Sequence, residues 1–287
     1  MKIALITCDK LPQGVIEDQP LYNALKRAAI EFHICIWDQT HDWSQYDVCL
    51  LRSVWDYHEK SEAFMVWVQQ VSQVTRLLNP AEVIEWNSNK NYLKELAAHQ
   101  LNIAPTVWLT KGSDINLRNE IVKLPESPQY FLKPTIGADS SGTHRFNVKN
   151  IDAAQEHLNH WLVHNDMMLQ SYLPSVESYG EISAIYFNGQ FSHAIRKIPV
   201  KGDYRVQDTF GASDIPHKLN TKETQAAEVA NNYLVRKFGK LCYSRIDLLM
   251  DIKNLPVINE LELIEPSLFL HHNAAASGLL ISSASAT

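Results

Sequence analysis

The sequence predicts a mixed α/β chain, with a doubly wound parallel sheet at its amino-terminal end and a β-rich remainder crossed by two helices. Two observations carry this. Residues 1 to about 87 alternate short apolar runs with stretches of helical periodicity, as strand–helix–strand units do. Near residue 88 the composition shifts, and β-patterned segments then dominate.

Taken in order, "KIALITC" reads as a strand and "QPLYNALKRAAI" as a helix with Pro20 near its first turn. "EFHICIWD" and "YDVCLLRSVWDY" follow as strands, and "EAFMVWVQQVSQV" as a helix with apolar residues at helical spacing. Ligands of such sheets sit beyond the carboxyl ends of strands, which would place "RSVWDY" in a binding position; the alternative is that Trp55 and Tyr57 start a core helix. "NSNKNYLKELAAHQLNIAP" reads as one helix closed by Pro105. The later strands are "TVWLT", "QYFLKPTIG", "THRFNV", "MMLQSYL", "EISAIYFNGQFSHAIRKIP", "LCYSRIDLLMD" and "PVINELELI", with helices near Asp152 to His164 and Thr221 to Phe238. Asn-Gly within "YFNGQF" suits a type I′ hairpin turn. The small, polar end of "SGLLISSASAT" is expected to fray.

Composition narrows the function. The chain has 287 residues, 45% of them hydrophobic, and a net charge of −6 with no basic block, which argues against nucleic acid as a partner. No apolar run approaches the ~20 residues of a membrane span. Cys8, Cys35, Cys49 and Cys242 show no metal or redox spacing and read as reduced core residues, as in a cytoplasmic protein.

The stretch "VINELELIEPSLFL" raises the main chemical question, since it sets Glu260, Glu262 and Glu265 in an apolar strand. "SRIDLLMD" and "PVINELEL" form a hairpin whose tight turn pairs Asp247 with Glu260 and Arg245 with Glu262. Strand alternation puts these carboxylates on one face, with Leu261 and Leu263 on the other. Carboxylates ~5 Å apart repel by about 3 kcal/mol at an effective dielectric of ~20. Either the face is solvated, or a cation sits on it; oxygen ligands alone favour magnesium over zinc.

Three other stretches bear on that choice. Lys133 ends the apolar run in "YFLKP" and is followed by Ser140, Ser141 and Gly142, a small loop of the kind that cradles phosphates, although a plain hairpin turn also fits. Gln170, Ser171, Tyr172 and Leu173 could lead from a strand into a hinge holding a purine, with Glu177 and Glu181 after them. "SHAIRKIPVKGDYRVQ" clusters His193, Arg196, Lys197, Lys201 and Arg205 in an otherwise acidic chain, the counter-charge that phosphoryl chemistry needs.

With these pieces in this order, the chain resembles the ATP-grasp carboxylate–amine ligases over nearly its whole length. The resemblance rests on Lys90 in "NSNKNYLKEL", on "FLKP" with its loop, on "LQSYL", on "IRKIP" with "GDYRVQ", and on "RIDLL" with "NELELIEP". "LRSVWDY", "FSHAIRKIP", "DYRVQ" and "ELELIEPSLFL" are similar to the cyclo-ligases of cycloserine biosynthesis, which close O-ureido-D-serine using ATP; glutathione synthetase and the ribosomal-protein glutamate ligases are more distant. Two positions depart from common patterns: Glu260-Leu261-Glu262 where Glu-x-Asn is usual, and Gly211-Ala212 where Gly-Gly is often found.

The resemblance implies an ATP-grasp fold divided into 1–88, 89–171 and 172–287, with ATP held between the last two parts. Lys90 and Lys133 would contact phosphates under the Ser140, Ser141 and Gly142 loop. Gln170, Ser171, Tyr172 and Leu173 would hold adenine, and Glu177 the ribose. Asp247, Glu260 and Glu262 would bind magnesium, two ions being compatible with the added charge. Arg196 and Arg205 would steady the transferred phosphate and the substrate carboxylate, while Arg52, Asp56, Tyr57 and Lys197 would face the acceptor. A homodimer is common in such ligases. The implied chemistry is carboxylate attack on the γ-phosphate, then displacement of phosphate from the acyl phosphate by nitrogen, within one molecule or between two. His193 or Glu181 is the expected base, and a nucleotide-binding protein without catalysis is the rival from another class. The pair His271 and His272 lacks a third ligand at sequence spacing and reads as a surface or packing feature rather than zinc.

Overall fold

The computed structural model describes residues 1–286, which form three sheets. The first contains β1 (Lys2–Thr7), β2 (Glu31–Ile36), β3 (Val48–Ser53) and β4 (Arg76–Leu78), all parallel in the order β2-β1-β3-β4. Its crossover helices include α1 (Gln19–Arg27) and α2 (Ser61–Val71). β3 is buried along its whole length, as a central parallel strand covered on both faces must be. On one face Trp37, Phe64 and Trp67 interlock, with Phe64 stacked on Trp67 at 5.6 Å and Trp37 edge-on to Phe64 at 5.3 Å.

Two short helices, α3 (Ala81–Asn87) and α4 (Tyr92–Ala98), lead out of this sheet. The helix expected over residues 87–105 is shorter than that, only α4, and Lys90 lies in the turn between α3 and α4, its N–H donating to Thr135 O at 2.7 Å. The second sheet is antiparallel: β5 (Thr106–Leu109), β6 (Tyr130–Pro134), β7 (His144–Phe146) and β8 (Met167–Ser171), in the order β5-β8-β6-β7. Helices α5 (Leu117–Ile121) and α6 (Ile151–Leu162) cover one face of it.

After the single turn α7 (Ser175–Ser178) come β9 (Glu181–Phe187), β10 (Gln190–Ile198), β11 (Ser213–His217), β12 (Tyr243–Met250) and β13 (Pro256–Glu262), antiparallel in the order β11-β10-β9-β12-β13. Asn188 and Gly189 turn the β9–β10 hairpin with φ of 51° and 72°, the positive pair a type I′ turn needs. Helix α8 (Thr221–Phe238) opens on a capping box, in which the Asn220 side chain accepts from Glu223 N and Glu223 returns a bond to Asn220 N. It packs Ala227, Ala230 and Leu234 onto the sheet.

Where fraying was expected, the described residues are helical up to Ala286. Helix α9 (Ala276–Ala286) buries Ala276, Leu280 and Ala284 against the first and third sheets, and apolar burial outweighs its polar end.

An edge strand exposes unpaired backbone groups, and β13 is such an edge. Here it is covered by side chains from α3 and α4. Asn87 donates to Leu261 O at 2.8 Å and accepts from Leu263 N at 2.8 Å, while the Tyr92 hydroxyl accepts from Leu261 N at 2.9 Å. Asn79, fully buried after β4, donates to Tyr243 O and Leu263 O and accepts from Cys242 N, all at 2.9 Å. These contacts fix the hairpin of β12 and β13 to the first sheet, so its acidic face has a set position.

Candidate active site

The acidic face is built on the β12–β13 ladder. Asp247 pairs with Glu260 and Arg245 with Glu262, the register expected from sequence at these positions. Nearer the turn the pairing changes to Leu248 with Ile258, which leaves Asn259 as one extra residue. This bulge lets Asn259 and Glu260, consecutive in sequence, both line one cavity. Asn259 Nδ2 donates to Glu181 Oε2 at 2.6 Å.

Buried cations face these carboxylates. Arg245 donates to Asp247 through Nε at 2.9 Å and Nη2 at 2.8 Å, and also pairs with Glu262. Lys197 pairs with Glu181 and lies 3.3 Å from Asp247 Oδ2. Ser183 Oγ donates to Asp247 at 2.5 Å. Burial alone would raise the Asp247 pKa, but Arg245 and Lys197 outweigh it and hold the group ionised. Glu262 is pushed up to about 7 by burial, which Arg245 opposes and Asp247 and Glu260 reinforce. Glu265 rises well above the usual range through burial and the Glu262 charge. Glu262 and Glu265 therefore hold a proton more readily than free carboxylates do, and a further cation at the cluster would favour their ionised forms.

Lys90 Nζ lies 2.9 Å from Glu260 Oε1 and donates to Gly137 O at 2.7 Å. Lys133 is buried on β6; its ammonium makes no hydrogen bond or ion pair among the described residues, and burial lowers its pKa. An unpaired buried ammonium is costly, and an anionic ligand would offset the cost.

The cavity holds about 670 Å³. At one end Gln170, Ser171, Tyr172 and Leu173 border an apolar slot with Leu249 and Phe131. Over its middle runs the loop Gly137–Ser141, where Asp139 and Ser140 take φ of 49° and 57°. This loop meets the segment after β10: Ser140 Oγ donates to Gln207 at 3.3 Å, Thr209 Oγ1 donates to Asp139 at 3.1 Å, and the Thr143 and Tyr204 hydroxyls are 3.1 Å apart. At the far end lie Cys8, Trp55, Tyr57 and His58, beyond the carboxyl ends of β1 and β3.

Residues 3–79 match the family model of the D-cycloserine synthetase DcsG N-terminal domain, and residues 103–259 that of the prokaryotic glutathione synthetase ATP-grasp domain. The chain is 32% identical over 278 residues to the cycloserine biosynthesis protein DcsG of Streptomyces lavendulae, covering 93% of this chain and 92% of that one. This chain belongs to the DcsG family of ATP-grasp ligases. The crystal structure of D-cycloserine synthetase DcsG superposes with a TM-score of 0.91 at 28% identity, covering 100% of this chain and 99% of that one. D-alanine–D-alanine ligase from Bacillus anthracis, complexed with ATP, shares the fold with a TM-score of 0.69 at 17% identity, covering 99% and 95%. As an ATP-grasp ligase, the chain uses ATP to join carbon to nitrogen with release of ADP and phosphate. Among the described residues, no helix is long and apolar enough to cross a membrane.

Not every residue singled out from sequence reaches the cavity of this ATP-grasp ligase. Lys90, Lys133, Ser140, Ser141, the hinge residues, Tyr57, Lys197, Arg205, Asp247, Glu260 and Glu262 all line it. Arg196 does not: alternation along β10 turns Lys197 inward and Arg196 outward, its guanidinium 4.8 Å from the Tyr179 ring. Arg52 is a buried strut, bonded to Asp18 at 2.8 and 3.0 Å and to Pro266 O at 3.2 Å. Asp56 accepts from Trp37 Nε1 at 2.8 Å and pairs with Lys60 at 3.1 Å, behind the wall. Glu177 is engaged by the Tyr172 hydroxyl at 2.5 Å and Arg145 at 2.6 Å. Gly142 stays out of the wall because Trp161 packs against it; a Cβ there would sit 2.7 Å from that ring.

His193 bonds Ser192 Oγ and Leu268 O away from the cavity, whose lining includes a different imidazole, that of His58. The buried Nδ1 of His58 has no partner, and burial lowers its pKa, which keeps it neutral. The sequence singled out neither His58 nor Asn259, read Cys8 only as a core thiol, and gave Arg245 only as a charge opposite Glu262. The one signal available for Arg245 was its place two residues before Asp247 on the same strand face.

Proposed function

We propose that this ligase activates the carboxylate of a small amino-acid-like molecule as an acyl phosphate and closes it onto a nitrogen of the same molecule, in the manner of O-ureido-serine cyclisation. The observation that carries the reading is the continuity of one cavity from the hinge slot, past Lys90, Lys133 and the acidic face, to Tyr57 and His58 at the first sheet. The name of the relative that is 32% identical supports the substrate class.

In this reading the slot between Leu173 and Leu249 takes adenine, and Lys90 and Lys133 meet the phosphates beneath the Gly137–Ser141 loop. Lys197, Arg205 and Arg245 offset charge on the transferring group. Glu260 and Glu262 would hold magnesium, joined by Asp247 where Lys197 shifts aside; the raised Glu262 pKa and all-oxygen donors fit a hard cation. Magnesium would neutralise phosphate oxygens there, and two ions are the proposed stoichiometry. The loop contacts with Gln207, Thr209 and Tyr204 would keep water from the acyl phosphate. Neutral His58 is placed to take a proton from the nitrogen nucleophile. The free, buried cysteines Cys8, Cys35, Cys49 and Cys242 fit a reducing compartment, so the cytoplasm is the proposed location.

The test is hydroxamate formation with Mg·ATP and hydroxylamine across amino-acid carboxylates, including O-ureido-D-serine and its enantiomer. Hydroxamate from one carboxylate, and release of ADP from ATP with that carboxylate alone when no amine is added, is the expected result. A strict need for a second amine would replace cyclisation by intermolecular ligation.

A further inference from the structure

Outside the cavity, three potential ligands converge from segments far apart in sequence. β11 carries Asp214, and the turn Leu270–His272 brings His271 and His272 against it. His271 Nε2 lies 3.3 Å and His272 Nε2 2.5 Å from the same oxygen, Asp214 Oδ2. One donor atom from each of the three falls within 4.8 Å of the others, and the two imidazole centroids are 4.0 Å apart. Tetrahedral coordination with bonds of about 2.0–2.1 Å spaces its donors roughly 3.3–3.4 Å apart. The His271–Asp214 separation already matches that edge, whereas His272 would have to draw back from Asp214 by about 0.8–0.9 Å. His272 and Asp214 are sheltered, with 15% and 19% of their side chains exposed, whereas His271 is 44% exposed and leaves an open side for water.

We propose that Asp214, His271 and His272 form a binding site for a borderline-soft divalent ion of the zinc class, separate from the oxygen-rich cluster in the cavity. Two imidazoles and one carboxylate suit zinc, cobalt or nickel and disfavour magnesium, which prefers oxygen and an octahedron. The location gives the ion a consequence. Asp214 closely follows the segment that carries Arg205 and Asp208 into the cavity wall, and the histidines directly follow Ser267 and Phe269, which also line it. An ion held by all three would fasten these two walls together at the reacting end.

A histidine–aspartate ion pair without metal would show similar distances, so the experiment must separate the two. Cobalt(II) is titrated into the whole chain in excess magnesium, and the visible absorption of a four-coordinate ion is read. One equivalent is expected to bind with that spectrum, with thermal unfolding shifted upward. His271→Gln and Asp214→Asn are each expected to weaken binding at least about 10-fold, since even outer-shell partners are worth 10–100-fold. His271 is exposed enough to be replaced without loss of packing, so a folded variant is available. Glu260→Gln should leave the cobalt signal unchanged. No uptake beyond magnesium, or equal uptake by the parent and both ligand variants, would overturn the site and leave an ion pair.

Discussion

Asp247 stands opposite Glu260 across the β12–β13 ladder, and the register that pairs them begins only at the bulge formed by Asn259. The turn end of the hairpin runs one residue out of step with the site end. The extra residue re-aims the strand so that Glu260 and Glu262 enter the cavity while Leu261 stays in the core, 1% exposed.

Replacing Glu260 by glutamine removes one proposed oxygen ligand and keeps its volume. The magnesium concentration needed for half-maximal ADP release should rise by at least about 10-fold, as coordination losses do. Titrating magnesium at saturating ATP measures it. An unchanged magnesium requirement would remove Glu260 from the metal site.

Lys133→Met separates binding from stability. A hydrogen bond to a charged group is worth about 1.5–3 kcal/mol, so ATP affinity should fall by roughly 10–100-fold. The melting temperature of the free protein should hold or rise, because a buried ammonium without a partner is removed. Calorimetry of ATP binding and of unfolding reads both. A lower melting temperature with normal ATP affinity would make Lys133 a structural residue.

Neighbours on β10 should behave oppositely. Arg196→Ala loses a cation–π contact with Tyr179 worth about 0.5–1 kcal/mol and should leave kcat unchanged. Lys197→Ala strands Glu181 in the interior while Asp247 keeps Arg245; breaking the buried pair costs about 3–5 kcal/mol and should abolish turnover. Kinetics and denaturant unfolding of the two variants check this; equal effects would contradict the inward and outward facing of the strand.

Acid stability has a local source at Glu95. Burial would raise its pKa, but bonds from Lys237, Tyr233 and Trp86 outweigh that and lower it from 4.5 to about 2. A depressed folded pKa contributes stability that is fully present above 4.5 and is lost as pH falls toward 2. The side chain is 35% exposed, so screening limits the contribution to about 1 kcal/mol. Glu95→Gln should therefore be less stable than the parent at neutral pH, with the gap closing as pH falls through 4.5. A gap that stays constant down to acid would show that charge is not the cause.

The parallel amino-terminal sheet is legible in the sequence, because strands buried on both faces leave long apolar runs such as "KIALIT" and "VCLLRS". The Asn188-Gly189 turn is legible in the sequence too, since turn chemistry is local, whereas the expected pairing of Asp247 with Glu260 is reached only through the bulge at Asn259. Which charges share the cavity depends instead on packing between segments far apart in the chain. Arg52 and Arg196 look as reactive in sequence as Lys197 and Arg205, yet Arg52 is consumed by Asp18, 34 positions away, and Arg196 faces Tyr179. His58, left without a partner for Nδ1, and the meeting of Asp214 with His271 and His272 depend on packing between distant segments. Even α9 exists because Leu280 and Ala284 find an apolar surface made by elements at the other end of the chain. Periodicity records which face of an element is buried, but the partner on that face is a property of the assembled fold.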